Sequence, residues 1–263
     1  MTDYLWNQLR SEAMATASAE PLLADYLSST IIGCNSLIQS LAQLLAVKLA
    51  ASDLSVSALR ELFYTSYESS PEVQSAIQLD LSAIIERDPA SRGVVNPFLN
   101  YKGFHALEAY RVTHLLWMNG RRALASHLQG RISEVFAADI HPAAVIGHGV
   151  FFDHGTGIVI GETTVISNHV SILQDVTLGG TGKLSGDRHP KIGAGVLIGA
   201  GAKVLGNIRV GEGAKIGAGS VVLKEVPAHT TVVGVPAQPV GRPSTIEPAL
   251  EMDQHFDDNG EGG

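Results

Sequence analysis

The chain has 263 residues, enough for one or two domains with a substantial buried core. Its 45% hydrophobic and 17% charged residues fit a soluble globular protein. A formal charge of -8 repels phosphodiester backbones and argues against a nucleic-acid partner, although a local cationic groove can still bind small anions.

The first ten residues show no cationic segment followed by an apolar run, so no signal peptide is expected and a cytoplasmic location follows. The longest apolar stretch, 37–51, is interrupted by Gln39, Gln43 and Lys48 and is too short and polar to span a bilayer. The single cysteine, Cys34, excludes an internal disulfide and reads as a small buried core residue.

The first half carries helical periodicity. In 36–51, Leu37, Leu41, Leu44 and Leu45 recur at three- and four-residue spacing. Segment 73–86 repeats the pattern with Ile77, Leu81, Ile84 and Ile85. It stops at Asp88-Pro89, because a residue before proline avoids helical geometry. A third helical pattern runs over 105–136 with a break at Asn119-Gly120, and Leu124, Leu128 and Ile132 form one of its rows. These stripes read as core and subunit packing.

After Ala138 the period becomes six. Ile140, Ile146, Phe152, Ile158, Thr164, Val170 and Val176 form one run, and Ile192, Ile198, Val204, Val210, Ile216 and Val222 a second. Twelve of these thirteen are hydrophobic, far above the chain's 45%, which makes chance placement improbable. Such a period predicts a parallel β-helix of short strands, three hexads to a triangular coil, stabilised by stacking of coils. Val176 and Ile192 are 16 apart, so 177–191 contains a protruding loop, Gly-Gly-Thr-Gly-Lys-Leu-Ser-Gly-Asp-Arg-His-Pro. It is either a functional loop on a rigid scaffold or a plain excursion. The stretch 232–237 closes the solenoid. From Glu247 the chain turns acidic and Gly-rich, which predicts a flexible tail.

Two of the ten histidines stand in unusual company. His154 lies in Phe152-Asp153-His154-Gly155-Thr156-Gly157, where the corner at Gly155 can turn it outward, and His189 lies in the loop beside Arg188. Transfer of an acyl group from a thioester to an alcohol needs a base with a near-neutral pKa, which suits histidine. A carboxylate on the far ring nitrogen would hold the tautomer. Asp139 is 15 residues before His154, and on an ideal coil the two are displaced by roughly 10 Å; only an irregular entry into the β-helix pairs them. His154 can equally be a corner residue capping a turn. Zinc held by His141, His148, His154 and His169 is a further alternative, but no spacing among them argues for a metal.

Arg87-Asp88-Pro89-Ala90, Asp139-Ile140-His141-Pro142, Phe152-Asp153-His154-Gly155-Thr156-Gly157, Val176-Thr177-Leu178-Gly179-Gly180-Thr181 and Asp187-Arg188-His189-Pro190-Lys191-Ile192 resemble the bacterial serine acetyltransferases. The resemblance extends from the N-terminal helices to about Pro243. It implies an α+β chain: a helical oligomerisation domain (1–138), a left-handed parallel β-helix (139–243) with one protruding loop, and a flexible tail (244–263).

The resemblance also implies roles. His154 resembles the general base, Asp139 its orienting carboxylate. Asp88 and Asp153 match carboxylates that hold the ammonium of L-serine, and Arg188 and His189 match groups near its carboxylate and the reacting centre. Acetyl-CoA, the co-substrate, is expected near Gly180, Thr181 and Ala200, with Lys215 on a CoA phosphate or simply solvated. No metal is expected. Trimers with sites between subunits, paired into hexamers, and feedback inhibition by L-cysteine are further implications. Family members commonly end in an isoleucine that binds O-acetylserine sulfhydrylase. This chain ends Glu261-Gly262-Gly263, which predicts weak or absent complex formation. Two other readings compete: a hexapeptide O-acetyltransferase acting on a sugar hydroxyl, which gives no reason for Asp88, Asp153 and Arg188 around the acceptor, and a non-catalytic scaffold, which needs no His154.

Overall fold

Serine caps and proline stops set the helices of the first half. The structure, a computed structural model, describes residues 2–182 and 185–255. Helix Thr2–Ala19 is followed by Leu37–Leu49, Val56–Glu68 and Pro71–Arg87. The last three begin where Ser36, Ser55 and Ser70 accept the amides of Gln39, Ala58 and Val73. Pro71–Arg87 ends where Asp88 turns extended ahead of Pro89. The pattern expected over 105–136 is two helices, Lys102–Met118 and Arg122–Phe136, broken at residues 119–121. The first of the pair is buried on nearly every side and forms the axis of the helical half. Cys34 is buried, its thiol 3.4 Å from the Thr30 carbonyl.

A buried charge cluster ties the helices to the β-helix. Arg111 bonds Asp80 and donates to the Gly147 carbonyl at 2.8 Å, while Asp80 accepts the Val150 amide at 2.8 Å. Glu108 is fully buried 3.3 Å from Arg111, and burial together with the nearby Asp80 raises its carboxyl well above the usual range against the opposing pull of Arg111.

The second half is a triangular prism of three parallel sheets. The first face stacks Ala138–Ile140, Ile158–Ile160, Thr177–Gly179, Lys203–Leu205 and Val221–Val222. The second stacks Val145–Ile146, Val165–Ile166, Lys191–Ile192 and Arg209–Val210. The third stacks Phe151–Phe152, Ser171–Ile172, Leu197–Ile198, Lys215–Ile216 and Thr231–Gly234, and closes with the antiparallel strand Ala237–Gly241.

The six-residue frame needs one correction. Ile140 stands under Ile160, Ile146 under Ile166 and Phe152 under Ile172, each twenty residues on, whereas Ile160 and Leu178 are the regular eighteen apart. The chain therefore carries two extra residues between Phe152 and Ile160. The inward positions that follow are Ile160, Ile166, Ile172 and Leu178. Ile158, Thr164, Val170 and Val176 sit two residues earlier in each hexad, also buried. This explains the one polar member of the expected series, Thr164. The surplus falls at Asp153-His154-Gly155-Thr156-Gly157, so the coil bulges where the candidate base sits.

The segment expected to be a flexible tail is packed as far as His255. Pro248–Glu251 forms a helical turn with Ala249 fully buried, and Ser171 on the third face donates to the Ala249 carbonyl at 2.8 Å. Residues 256–263, and with them the expected consequence of the missing terminal isoleucine, lie outside the described residues. No helix among the described residues is long and apolar enough to cross a membrane.

Candidate active site

His154 occupies the edge between the third and first faces. Its φ of 57° belongs to the left-handed region and turns the side chain out of the prism, leaving it 73% exposed. The N-terminal end of helix Lys102–Met118 seats against this corner, and two glycines permit the approach. A Cβ on Gly103 would lie 2.1 Å from the Phe152 carbonyl oxygen, and one on Gly155 2.7 Å from the Gly103 Cα.

Helix and corner enclose a cavity of about 610 Å³. Its walls bring Asp88, Asp153 and His154 together, with Arg87, Tyr101 and the tail residues Met252 and Gln254. His154 Nε2 lies 3.8 Å from Asp153 Oδ1. Burial raises the Asp153 carboxyl and neighbouring Asp88 raises it further, while His154 pulls it down. The Tyr101 hydroxyl is pushed up to about 12 by burial and by the two carboxylates it faces, Asp88 and Asp153, so it stays a donor. Arg87 donates to Ser171 Oγ at 3.1 Å and ties the Asp88 turn to the third face. The sequence reading passed over Tyr101 and Arg87. Arg87 ends a helix beside the Asp-Pro stop and Tyr101 is the extended residue between two helices, and neither position carries a spacing signal.

The cationic candidates lie across the first face, at its edge with the second. Arg188 pairs with Glu162 at 2.8 Å, and His189 packs on Gly161 with its ring against Thr163. Lys191 Nζ holds this turn through Asp187 and the carbonyls of Thr163 (2.9 Å) and His189 (2.7 Å). One chain thus separates Asp88, Asp153 and His154 from Arg188 and His189.

Asp139 is not paired with His154 within the chain; its Oδ1 accepts Gln129 Nε2 at 2.7 Å. The strand Ala138–Ile140 is regular, and the irregularity comes later, at 153–157, so nothing swings the carboxylate toward the corner. The expected acetyl-CoA residues are also divided. Ala200 shares the edge of His154 two coils away, about 10 Å, linked through Gly201 to Gln174 and Asp175 to Thr156. Gly180 and Thr181 lie at the other edge, near Arg188 and Gly206. Lys215 is neither solvated nor open to a phosphate: it is 4% exposed under the tail and donates to the His255 carbonyl at 2.6 Å.

A triangular β-helix with an exposed imidazole and two carboxylates at its edge defines a hexapeptide-repeat acyltransferase. Residues 5–109 match the family model for the N-terminal region of serine acetyltransferase, and 189–224 match the bacterial transferase hexapeptide model. The serine acetyltransferase of Escherichia coli K12 is 53% identical over 254 residues, 97% of this chain and 93% of that protein. The crystal structure of serine acetyltransferase from Vibrio cholerae superimposes with a TM-score of 0.96 at 52% identity, covering 98% of this chain and all of that one. A serine acetyltransferase in complex with cysteine matches with a TM-score of 0.95 at 52% identity, covering 97% and 100%. The Brucella abortus enzyme in complex with coenzyme A gives 0.89 at 49%, covering 90% and 95%. The chain belongs to the serine acetyltransferase family.

Proposed function

We propose that this chain moves the acetyl group of acetyl-CoA directly onto the hydroxyl of L-serine, with His154 as general base. The observation that carries the reading is the shared cavity, which gathers two carboxylates and an outward imidazole at one edge of the prism. The serine ammonium fits between Asp88 and Asp153 as a charge-assisted donor. His154 takes the hydroxyl proton as the serine oxygen attacks the thioester carbonyl. The carbon–sulfur bond then breaks, and the imidazolium returns its proton to the CoA sulfur. The products are O-acetyl-L-serine and CoA. A positioned base of this kind contributes about 10²- to 10⁴-fold. Asp139 keeps a second oxygen beyond the one given to Gln129, and in this reading the exposed His154 ring, not the carboxylate, swings to close that pair when serine binds.

The separation of Arg188 and His189 from the cavity supports a site shared between copies of the chain. In a trimer the edge carrying Arg188 and His189 of one prism faces the edge carrying His154 of the next, which sets the guanidinium opposite the serine carboxylate. Acetyl-CoA then runs along that seam, past Ala200 of one copy and Gly180 and Thr181 of the other. The helical domain, 1–138, pairs trimers into a hexamer. A cytoplasmic location completes the reading.

Release of free thiol from acetyl-CoA tests it, with serine and a panel of galactosides as acceptors. Serine-dependent release is expected; release that depends on a galactoside and ignores serine overturns the proposal in favour of a sugar acetyltransferase. Cysteine differs from serine only in sulfur for oxygen, so it should compete with serine. A non-competitive pattern argues against a shared site.

A further inference from the structure

The hydrogen bonds of His189 settle which of its ring nitrogens carries the proton. Nδ1 faces two groups of one residue, the Thr163 amide at 3.1 Å and Thr163 Oγ1 at 2.9 Å. A backbone N–H only donates, so Nδ1 accepts. The hydroxyl leads to the same answer. Thr163 Oγ1 accepts the amides of Arg188 at 3.0 Å and His189 at 3.1 Å, which occupies both lone pairs and leaves its hydrogen for Nδ1. Turning the ring over would set a carbon against both donors and strand them. A neutral imidazole that accepts at Nδ1 carries its proton on Nε2.

The rest of the pocket holds that orientation. His189 is 7% exposed, and its ring lies over Gly161, where a Cβ would fall 2.1 Å from Cδ2 and Nε2. Lys191 Nζ clamps the Thr163 and His189 carbonyls to one another. Burial lowers the His189 pKa first, and the charges of Arg188, Lys191 and His141 lower it further against the opposing pull of Glu162. Nε2 makes no hydrogen bond among the described residues.

We propose that Thr163 is a positioning residue that locks His189 as the Nε2–H tautomer, which makes His189 a hydrogen-bond donor to a substrate oxygen and not a second base. The inference rests on the reading that His154 is the base. It divides the two histidines by chemistry: one accepts the serine proton, the other only donates.

The test uses four variants of the full chain, read by thiol release at saturating acetyl-CoA with serine varied. Glutamine sets an amide N–H near the place of Nε2, and asparagine near that of Nδ1. His189→Gln is therefore expected to keep kcat/KM for serine at least about tenfold above His189→Asn, in line with one hydrogen bond to a charged oxygen. Thr163→Ser retains the hydroxyl and should stay near the wild type. Thr163→Val should raise the serine KM about tenfold. Nitrogen NMR of ¹⁵N-histidine protein, with the His189 signals identified by their loss in His189→Gln, should show a protonated Nε2 and a bare Nδ1. Equal losses in the glutamine and asparagine variants overturn the proposal, as does a protonated Nδ1 at neutral pH. The ring readouts stand even where Thr163→Val fails to fold. His154→Ala, assayed alongside, separates the two readings: if it keeps full turnover, the base assignment fails whatever Thr163 does.

Discussion

Gly103 and Gly155 touch backbone to backbone, and that contact fastens a helix end to the corner carrying His154. An added Cβ on Gly155 would lie 2.7 Å from the Gly103 Cα. The cavity owes its shape to this contact, because residues 101–103 form one wall and 151–154 another.

Gly103→Ala should therefore damage the site. Its Cβ meets the Phe152 carbonyl oxygen at 2.1 Å, and backbone cannot yield as a flexible side chain does. The expected cost is about 1–3 kcal/mol of stability. A loss of turnover of up to about 10²-fold should accompany it, because misplacement of a catalytic group by about 1 Å suffices for that. Thermal melting and thiol release measured on the same sample check both parts. Unchanged activity would show that the helix end does not position His154.

His154→Ala removes an exposed side chain at a corner whose neighbouring amides, of Asp153 and Gly155, are bonded to the Ile172 and Asp153 carbonyls. Turnover with serine should fall by at least about 10²-fold, while the melting temperature stays within about 2 °C of the wild type. Survival of most of the turnover would refute the assignment of the base.

Asp88→Asn and Asp153→Asn should each raise the serine KM by about 10- to 100-fold with little change in the acetyl-CoA KM, the range for hydrogen bonds to a charged group. The Asp153 carboxyl is raised by burial and by Asp88, so it takes up a proton at a higher pH than an ordinary aspartate. Acidification should therefore weaken serine binding before a typical carboxylate would respond. Steady-state KM values for both substrates across mildly acidic pH decide this; a serine KM that stays flat there counts against Asp153.

His105 supplies a pH dependence of stability away from the site. Its ring is buried, donates Nε2–H to the Phe98 carbonyl at 2.8 Å and has its pKa lowered by burial from the ordinary 6.5 to about 4. The unfolded chain thus binds the proton more readily than the folded one. Stability from this group is complete above about pH 6.5 and is lost as pH falls toward 4, by about 3 kcal/mol in all. His105→Gln keeps a donor for Phe98 and removes the titration. The wild type should lose melting temperature faster than this variant between pH 7 and pH 5, and parallel curves would discard the effect.

Much of this architecture could be read from residue order. The six-residue repeat is a local property, because each hexad builds one strand and one corner, and the three- and four-residue stripes likewise mark one face of each helix. Asp88 and His154 were legible through short motifs, and so was the loop, from a spacing that is not a multiple of six.

Tertiary structure alone decided the rest. The two extra residues in the coil at His154 were invisible to the period, because Ile158, Thr164, Val170 and Val176 are buried two places before the true inward positions and preserve the six-residue beat. Tyr101 joins the cavity because two glycines let a helix end sit on a coil corner, and Arg87 because it reaches Ser171 on the third face. Lys215 reads as a surface cation, yet the tail covers it, and a contact between residues 40 apart leaves no local signature. The proton on His189 likewise depends on Thr163, 26 residues earlier and one coil away. Periodicity governs what a segment becomes, since that depends on neighbours in sequence; the placement and protonation of a functional side chain depend on neighbours in space.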